Sequence, residues 1–220
     1  MSNAEPPRRT HDLDGHRRGR LGRSPFANVA APLAAAVCYA VAAAVWAVSG
    51  DLLPGGRWLI VHLFTLGVLT NAILAFSEHF GHALTRGDEA RGRWQTGVLN
   101  GAIVVTLAGL PGDTAIAVGV GGAVVTAVVA VAWLRLRRLR KTAPDARFAW
   151  IVAVYERAHE AFLVGAAVGV ALGVGAVSGA WYVSGRLAHL HLNVLGWGGL
   201  TLVATLVFFG PTVVRTQMVR

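Results

Sequence analysis

Charge is scarce in this chain. Of its 220 residues only 14% are Asp, Glu, Lys or Arg, where a soluble domain carries about 25%. Cysteine is almost absent: Cys38 stands alone inside an apolar run, which excludes a disulfide scaffold and an iron–sulfur protein. There is no C-x-x-C-H haem-attachment motif, no C-x-x-C pair, no Walker loop and no G-x-S-x-G elbow, so covalently attached haem, P-loop phosphate binding and nucleophile-elbow hydrolysis all drop out. Short alternating strands are lacking too, which argues against a transmembrane β-barrel.

What the chain has is apolar length. Apolar residues make up 55% and the mean hydropathy is +0.55, far too apolar for a disordered chain. An all-α, polytopic membrane helix bundle is the class that remains. Segments of spanning length, about 17–25 residues, fall at about 27–49, 58–83, 95–110, 114–134, 148–178 and 187–209, giving about six transmembrane helices over residues 26–220. The third is short and contains Asn100; the fifth is long enough to tilt. The first exceeds the 7–15 residues of a signal-peptide core and is expected to persist as a span.

A net charge of +9 would suit a nucleic-acid partner if it covered one face. It does not. Residues 1–25, a basic tail expected to be disordered, carry net +3, and residues 135–147 (RLRRLRKTAPDAR) carry net +5. Together with Arg86, Arg91 and Arg93 and the basic C-terminal end, alternate loops hold 17 of the 20 basic residues. The positive-inside rule then places both termini in the cytoplasm and the chain in a bacterial plasma membrane. Nucleic acid is not expected as a partner; the lipid bilayer is, and a second copy of the chain is a further candidate.

Ionisable groups inside a bilayer are costly, so those that persist mark function. Six histidines fall on the second, fifth and sixth spans. By the charge-derived orientation His62, His189 and His191 share an outer depth, without a carboxylate. His79, His82 and His159 lie toward the inner side with Glu78, Glu156 and Glu160. Neutral imidazole is a ligand for iron, copper and zinc, which makes His62, His79, His159, His189 and His191 candidate metal ligands. His189 and His191 point about 200° apart on a helix, so they do not share one ion. One of them can meet His62 across a haem iron, and the spacing alone leaves open which. Asn193, four residues after His189, is placed to orient that ring. In the inner group His79 with His159 is the pair of interest; for His82 and Glu156 an ordinary polar helix end is the simpler reading. Gly165, Gly169 and Gly173 recur every four residues and form a groove for close helix packing, or for a flat cofactor.

The segments HLFTLGVLTNAILAFSEHF and HLHLNVLGWGGLTLVATLVFFGPTVVRT resemble the membrane domain that precedes the cupredoxin domains of actinobacterial multicopper oxidases and copper nitrite-reductase-like proteins. More distantly, His189 and His191 with an early-span histidine resemble subunit I of the haem–copper oxidases and nitric oxide reductases. The second resemblance implies that His62 and His191 are the low-spin haem ligands and that His189 serves a second centre. Non-covalent haem b, with copper as a further cofactor, is therefore the expectation. The expected function is electron transfer with an extracytoplasmic cupredoxin-type partner. Reduction of nitric oxide or oxygen at a haem/copper centre, and non-redox binding, sensing or transport of copper or another small ligand, are the alternatives.

Overall fold

Long apolar runs become long helices. The computed structural model describes residues 27–86, 93–143 and 147–214. Among these residues there are no strands, and six long helices follow one another: α1 (Ala27–Ser49), α2 (Gly56–Thr85), α3 (Arg93–Gly109), α4 (Ala115–Thr142), α5 (Ala149–Gly173) and α6 (Ala180–His191, then Leu192–Gly199 and Leu200–Val213). The tail at 1–25, the basic residues Arg91 and Arg220, and Pro144 to Ala146 lie outside the described residues.

Four of the helices, α1, α2, α4 and α6, are long and apolar enough to cross a membrane. Helix α3 has only 17 residues, and α5 carries Glu156, Arg157 and Glu160 together in its first half. Two boundaries differ from the hydropathy reading. Helix α4 runs to Thr142, so the whole RLRRLRK segment is helix rather than loop. Arg, Leu and Lys are good helix formers, and Leu136 and Leu139, one turn apart, are buried there. Helix α6 starts at Ala180, two turns before the apolar run begins, in a stretch where Arg186 lies over the Tyr182 ring at 5.7 Å.

Packing follows chain order. Helix α1 lies along α2, α3 along α4, α4 along α5 and α5 along α6, while α2 also contacts α4 and α5. The main apolar core joins Leu74, Leu99, Ile103, Val125, Val129 and Trp197; a smaller one joins Leu84, Leu136, Ile151, Val152, Tyr155 and Ala204. Asn71 and Asn100 pair reciprocally between α2 and α3, each amide donating to the other at 2.9 and 3.0 Å. Each also donates to the carbonyl one turn back on its own helix, so their donors are satisfied inside an apolar layer. The outward faces stay apolar: Val37, Val41 and Val45 on α1 and Leu202, Val203 and Leu206 on α6 are exposed. Faces of that kind fit a lipid bilayer and not water.

Helix α6 packs its backbone against α5 and reaches α2 by side chains at two levels. One is the contact of His62 with His189; the other is the contact of Phe80 with Phe208 and Phe209.

Candidate functional site

The His62 and His189 rings come together between α2 and α6, with centres 6.2 Å apart and planes only 16° from parallel. Each ring is tethered through Nδ1, which lies 2.8 Å from the Trp58 carbonyl in His62 and 2.8 Å from the Gly165 carbonyl in His189. A carbonyl oxygen only accepts, so Nδ1–H is the donor in both rings. In the neutral imidazole this leaves Nε2 with its lone pair, the form that binds a metal. His62 is held from its own helix, one turn back, and His189 from the neighbouring helix.

Local sequence explains both tethers. Trp58 stands four residues before His62, on the same helix face, and its indole stacks on the imidazole at 4.1 Å and 22°. Opposite, the glycine groove of α5 receives α6. A Cβ on Gly165 would meet the Asn193 side chain and Leu192, and a Cβ on Gly169 would run into the His189 ring. Only glycine lets the ring lie against the α5 backbone. The groove is therefore filled by His189 and Asn193, with Gly173 taking Val118 of α4, and the flat-cofactor reading of that groove is corrected. Asn193 donates to the His189 carbonyl at 2.7 Å and its amide nitrogen lies 3.3 Å from the ring Nδ1. It steadies the backbone, while the Gly165 carbonyl orients the ring.

His191 points elsewhere. Its Nδ1 donates to the Leu187 carbonyl at 2.7 Å and the residue is exposed. The ring that stands beside His62 is thus that of His189, and not that of His191, which the oxidase resemblance implies. The physical reason is the two-residue spacing, which turns His191 to the far side of the helix once His189 enters the glycine groove.

At the other end of the bundle the ionisable groups have partners. Arg140 holds Glu156 through both Nε and Nη2. Arg135 donates to Gln95 at 2.6 Å and lies 3.6 Å from Glu78, and Glu160 accepts from the Trp133 indole at 3.2 Å and pairs with Arg157. His159 is fully buried, its Nδ1 donating to the Tyr155 carbonyl at 2.7 Å and its ring edge-on to Trp197 at 4.6 Å. His79 lies edge-on to Phe80 at 5.5 Å. Among the described residues no three His, Cys, Asp or Glu side chains gather in a way that would hold a metal ion. The five candidate metal-ligand histidines thus do not converge; they sit on three helices and at two levels, and His159 is buried with Trp197 against its ring.

Two features escaped the sequence reading. Trp58 is one. The other is a repeat: His62-Leu63-Phe64-Thr65-Leu66-Gly67 on α2 matches His191-Leu192-Asn193-Val194-Leu195-Gly196 on α6. Each copy passes straight from its histidine into a π-helical stretch, Leu63–Leu69 and Leu192–Gly199. Such wider turns are rare and concentrate at functional sites. In each copy the glycine allows a close approach, Gly67 to the Tyr39 ring of α1 and Gly196 to Ala161 of α5. The shared His-Leu-x-x-Leu-Gly pattern was the available signal.

An apolar cavity of about 370 Å³ lies between α1, α2 and α3, lined by Tyr39, Trp46, Leu59, Leu63, Leu107 and Pro111 among others. Its polar handles are used internally: the Tyr39 hydroxyl donates to the Asn100 carbonyl and the Trp46 indole to the Pro54 carbonyl. Nothing in its lining orients a polar ligand. No family model, curated protein or solved structure matches this chain.

Proposed function

We propose that the chain is a six-span plasma-membrane protein, with both termini cytoplasmic, that holds one haem b between His62 and His189 and passes electrons at its outer side. One observation carries this reading: the separation and tautomers of these two imidazoles. Metal–nitrogen bonds of roughly 2.0 Å on both sides of one ion bring two imidazole centres to about 6 Å apart, and the rings stand at 6.2 Å. Both rings keep Nε2 for the metal while a backbone carbonyl holds Nδ1, the outer support that fixes ring orientation and raises ligand basicity. The charge pattern of the loops supports the orientation.

When bound, the haem supplies a one-electron redox centre. His62 and His189 would be the residues that hold the group, and a group held from two sides would favour electron transfer over reduction of nitric oxide or oxygen, since substrate chemistry needs an open position. His62 and His189 stand near the ends of α2 and α6 that the charge pattern assigns to the outer side, within reach of an extracytoplasmic copper protein of the cupredoxin kind, as the resemblance to multicopper-oxidase membrane domains implies.

An absorption spectrum with metal analysis of the purified protein tests the reading. A sharp reduced α-band at one haem per chain is expected, lost in His62→Ala and in His189→Ala and retained in His191→Ala. A colourless wild type overturns it. Copper at one per chain without haem would move the same two histidines to copper binding, because copper(I) accepts two imidazoles in line. Carbon monoxide shifting the reduced Soret band would favour the catalytic alternative.

A further inference from the structure

We propose that the apolar cavity between α1, α2 and α3 is a binding site for a single membrane phospholipid, which lays an acyl chain in the cavity and its phosphate against Arg57. The inference goes beyond the haem reading and holds whether or not His62 and His189 bind a metal. It rests on the long apolar helices that suit the chain to a bilayer. The cavity follows from how the helices pair. Helix α1 lies along α2 and α3 along α4, so α1 and α3 part, and about 370 Å³ stays open between them. Leu59 and Leu63 of α2 and Leu107 of α3 form its buried wall, and Val104 and Ala108, one turn apart on α3, stand on its rim. Both rim residues are exposed, so the cavity opens onto the outward apolar surface of α3.

Its chemistry selects the occupant. The Tyr39 hydroxyl and the Trp46 indole are the polar side-chain groups of the lining, and both donate to backbone carbonyls, of Asn100 and Pro54. An ion or a polar headgroup therefore finds no partner inside. Water does not fill such a space either: an apolar cavity of about 150 Å³ stays dry and takes benzene, and this one is more than twice that size. A hydrocarbon chain fits, and the bilayer at the rim supplies it. At the end of the bundle the loops before α2 and after α3 meet, since a Cβ on Gly55 would press on Leu59 and Pro111. Beside that contact stands Arg57, exposed in the first turn of α2, between Pro54 and Leu59 of the cavity lining. The first turn of a span lies at headgroup depth. The ion pairs found among the described residues lie at the Arg140 end, so no carboxylate holds the Arg57 guanidinium, a group whose fork matches a phosphate in two parallel hydrogen bonds.

The test is native mass spectrometry of the full-length protein in detergent, titrated with palmitoyl-oleoyl phosphatidylglycerol and, separately, with the matching diacylglycerol, which has no phosphate. The wild type is expected to take up one phosphatidylglycerol per chain in a first step that saturates well before the loose series of later adducts. Leu107→Trp, which fills the cavity, is expected to abolish that step. Ala108→Phe, bulky at the exposed rim, replaces it if the buried variant does not accumulate. Ile116→Trp adds bulk at a site that is 79% exposed and outside the lining, and is expected to bind as the wild type does. Arg57→Gln is expected to weaken phosphatidylglycerol binding about tenfold, the loss of a charge-assisted hydrogen bond, and to leave diacylglycerol binding unchanged. A wild type whose adducts accumulate evenly carries a lipid belt only, which overturns the site. A first step that survives in both cavity variants overturns its place between α1, α2 and α3, and an unchanged phosphatidylglycerol affinity in Arg57→Gln overturns the phosphate contact.

Discussion

The two ends of the bundle use histidine in opposite ways. At the His62 end two rings meet, and each keeps its Nε2 lone pair while a carbonyl holds Nδ1. At the Arg140 end the carboxylates are matched by arginines, and His159, although in the same tautomer, is fully buried with its ring edge-on to Trp197. The same tautomer thus appears in two rings that meet across helices in one place and in a single ring packed against tryptophan in the other. What differs is the environment: a glycine groove lets a ring of α6 lie against α5 and meet a ring of α2, whereas ion pairs and aromatics fill the opposite end. Function should therefore be sensitive at the His62 end, and stability at the Arg140 end.

The strongest test of that division is Arg140→Ala. The Glu156 side chain it pairs with is 4% exposed and the Arg140 side chain 33%. Removing one partner of a buried pair leaves an uncompensated charge and costs about 3 kcal/mol, the lower end of the range because Arg140 is partly open. Chemical unfolding in detergent should register that loss, with the haem band unchanged per folded molecule. A weakened band in the folded fraction would break the comparison.

A step smaller is Gly169→Ala. The added methyl group meets the His189 ring, and overpacking of this kind costs about 2 kcal/mol while displacing a ring that the proposed haem site needs. Haem titration of the apoprotein measures it, and Gly173→Ala, which meets only Val118, serves as the control that lowers stability without touching the ring. Smaller again is Asn71→Leu, which removes the reciprocal amide pair with Asn100. Interhelical hydrogen bonds in membranes contribute about 1 kcal/mol, so the unfolding midpoint should fall modestly and the spectrum stay unchanged.

The helices were legible wherever hydropathy alone decides. Helix α1 has the bounds its apolar run predicts. The extension of α4 to Thr142 was not, because arginines lower hydropathy while favouring helix, and only the one-turn spacing of buried Leu136 and Leu139 betrays the inward face. At the site, sequence spacing showed that His189 and His191 diverge, but not which one turns inward. That choice is made by glycines on another helix, Gly165 and Gly169, whose relation to α6 exists only after folding. The π-helical turns hide the rest: a wheel at 100° per residue misplaces every side chain that follows His62 or His191.

The smallest expected effect probes how deep the Arg140 end lies. Arg157 pairs with Glu160 three residues on, and its side chain is 71% exposed. An ion pair in water contributes little, so Arg157→Ala should change stability by no more than about 0.5 kcal/mol. That figure holds only if the start of α5 sits among headgroups and water, as the loop charges imply. Glu160 keeps its bond from Trp133 in the variant, so the loss reports the medium around Arg157 and not the collapse of a network. A loss well above 1 kcal/mol would mean that the same pair is shielded from water. The Arg140 end would then lie deeper in the bilayer than its charge suggests, and its buried histidine would have to be reconsidered as a group that works within the membrane.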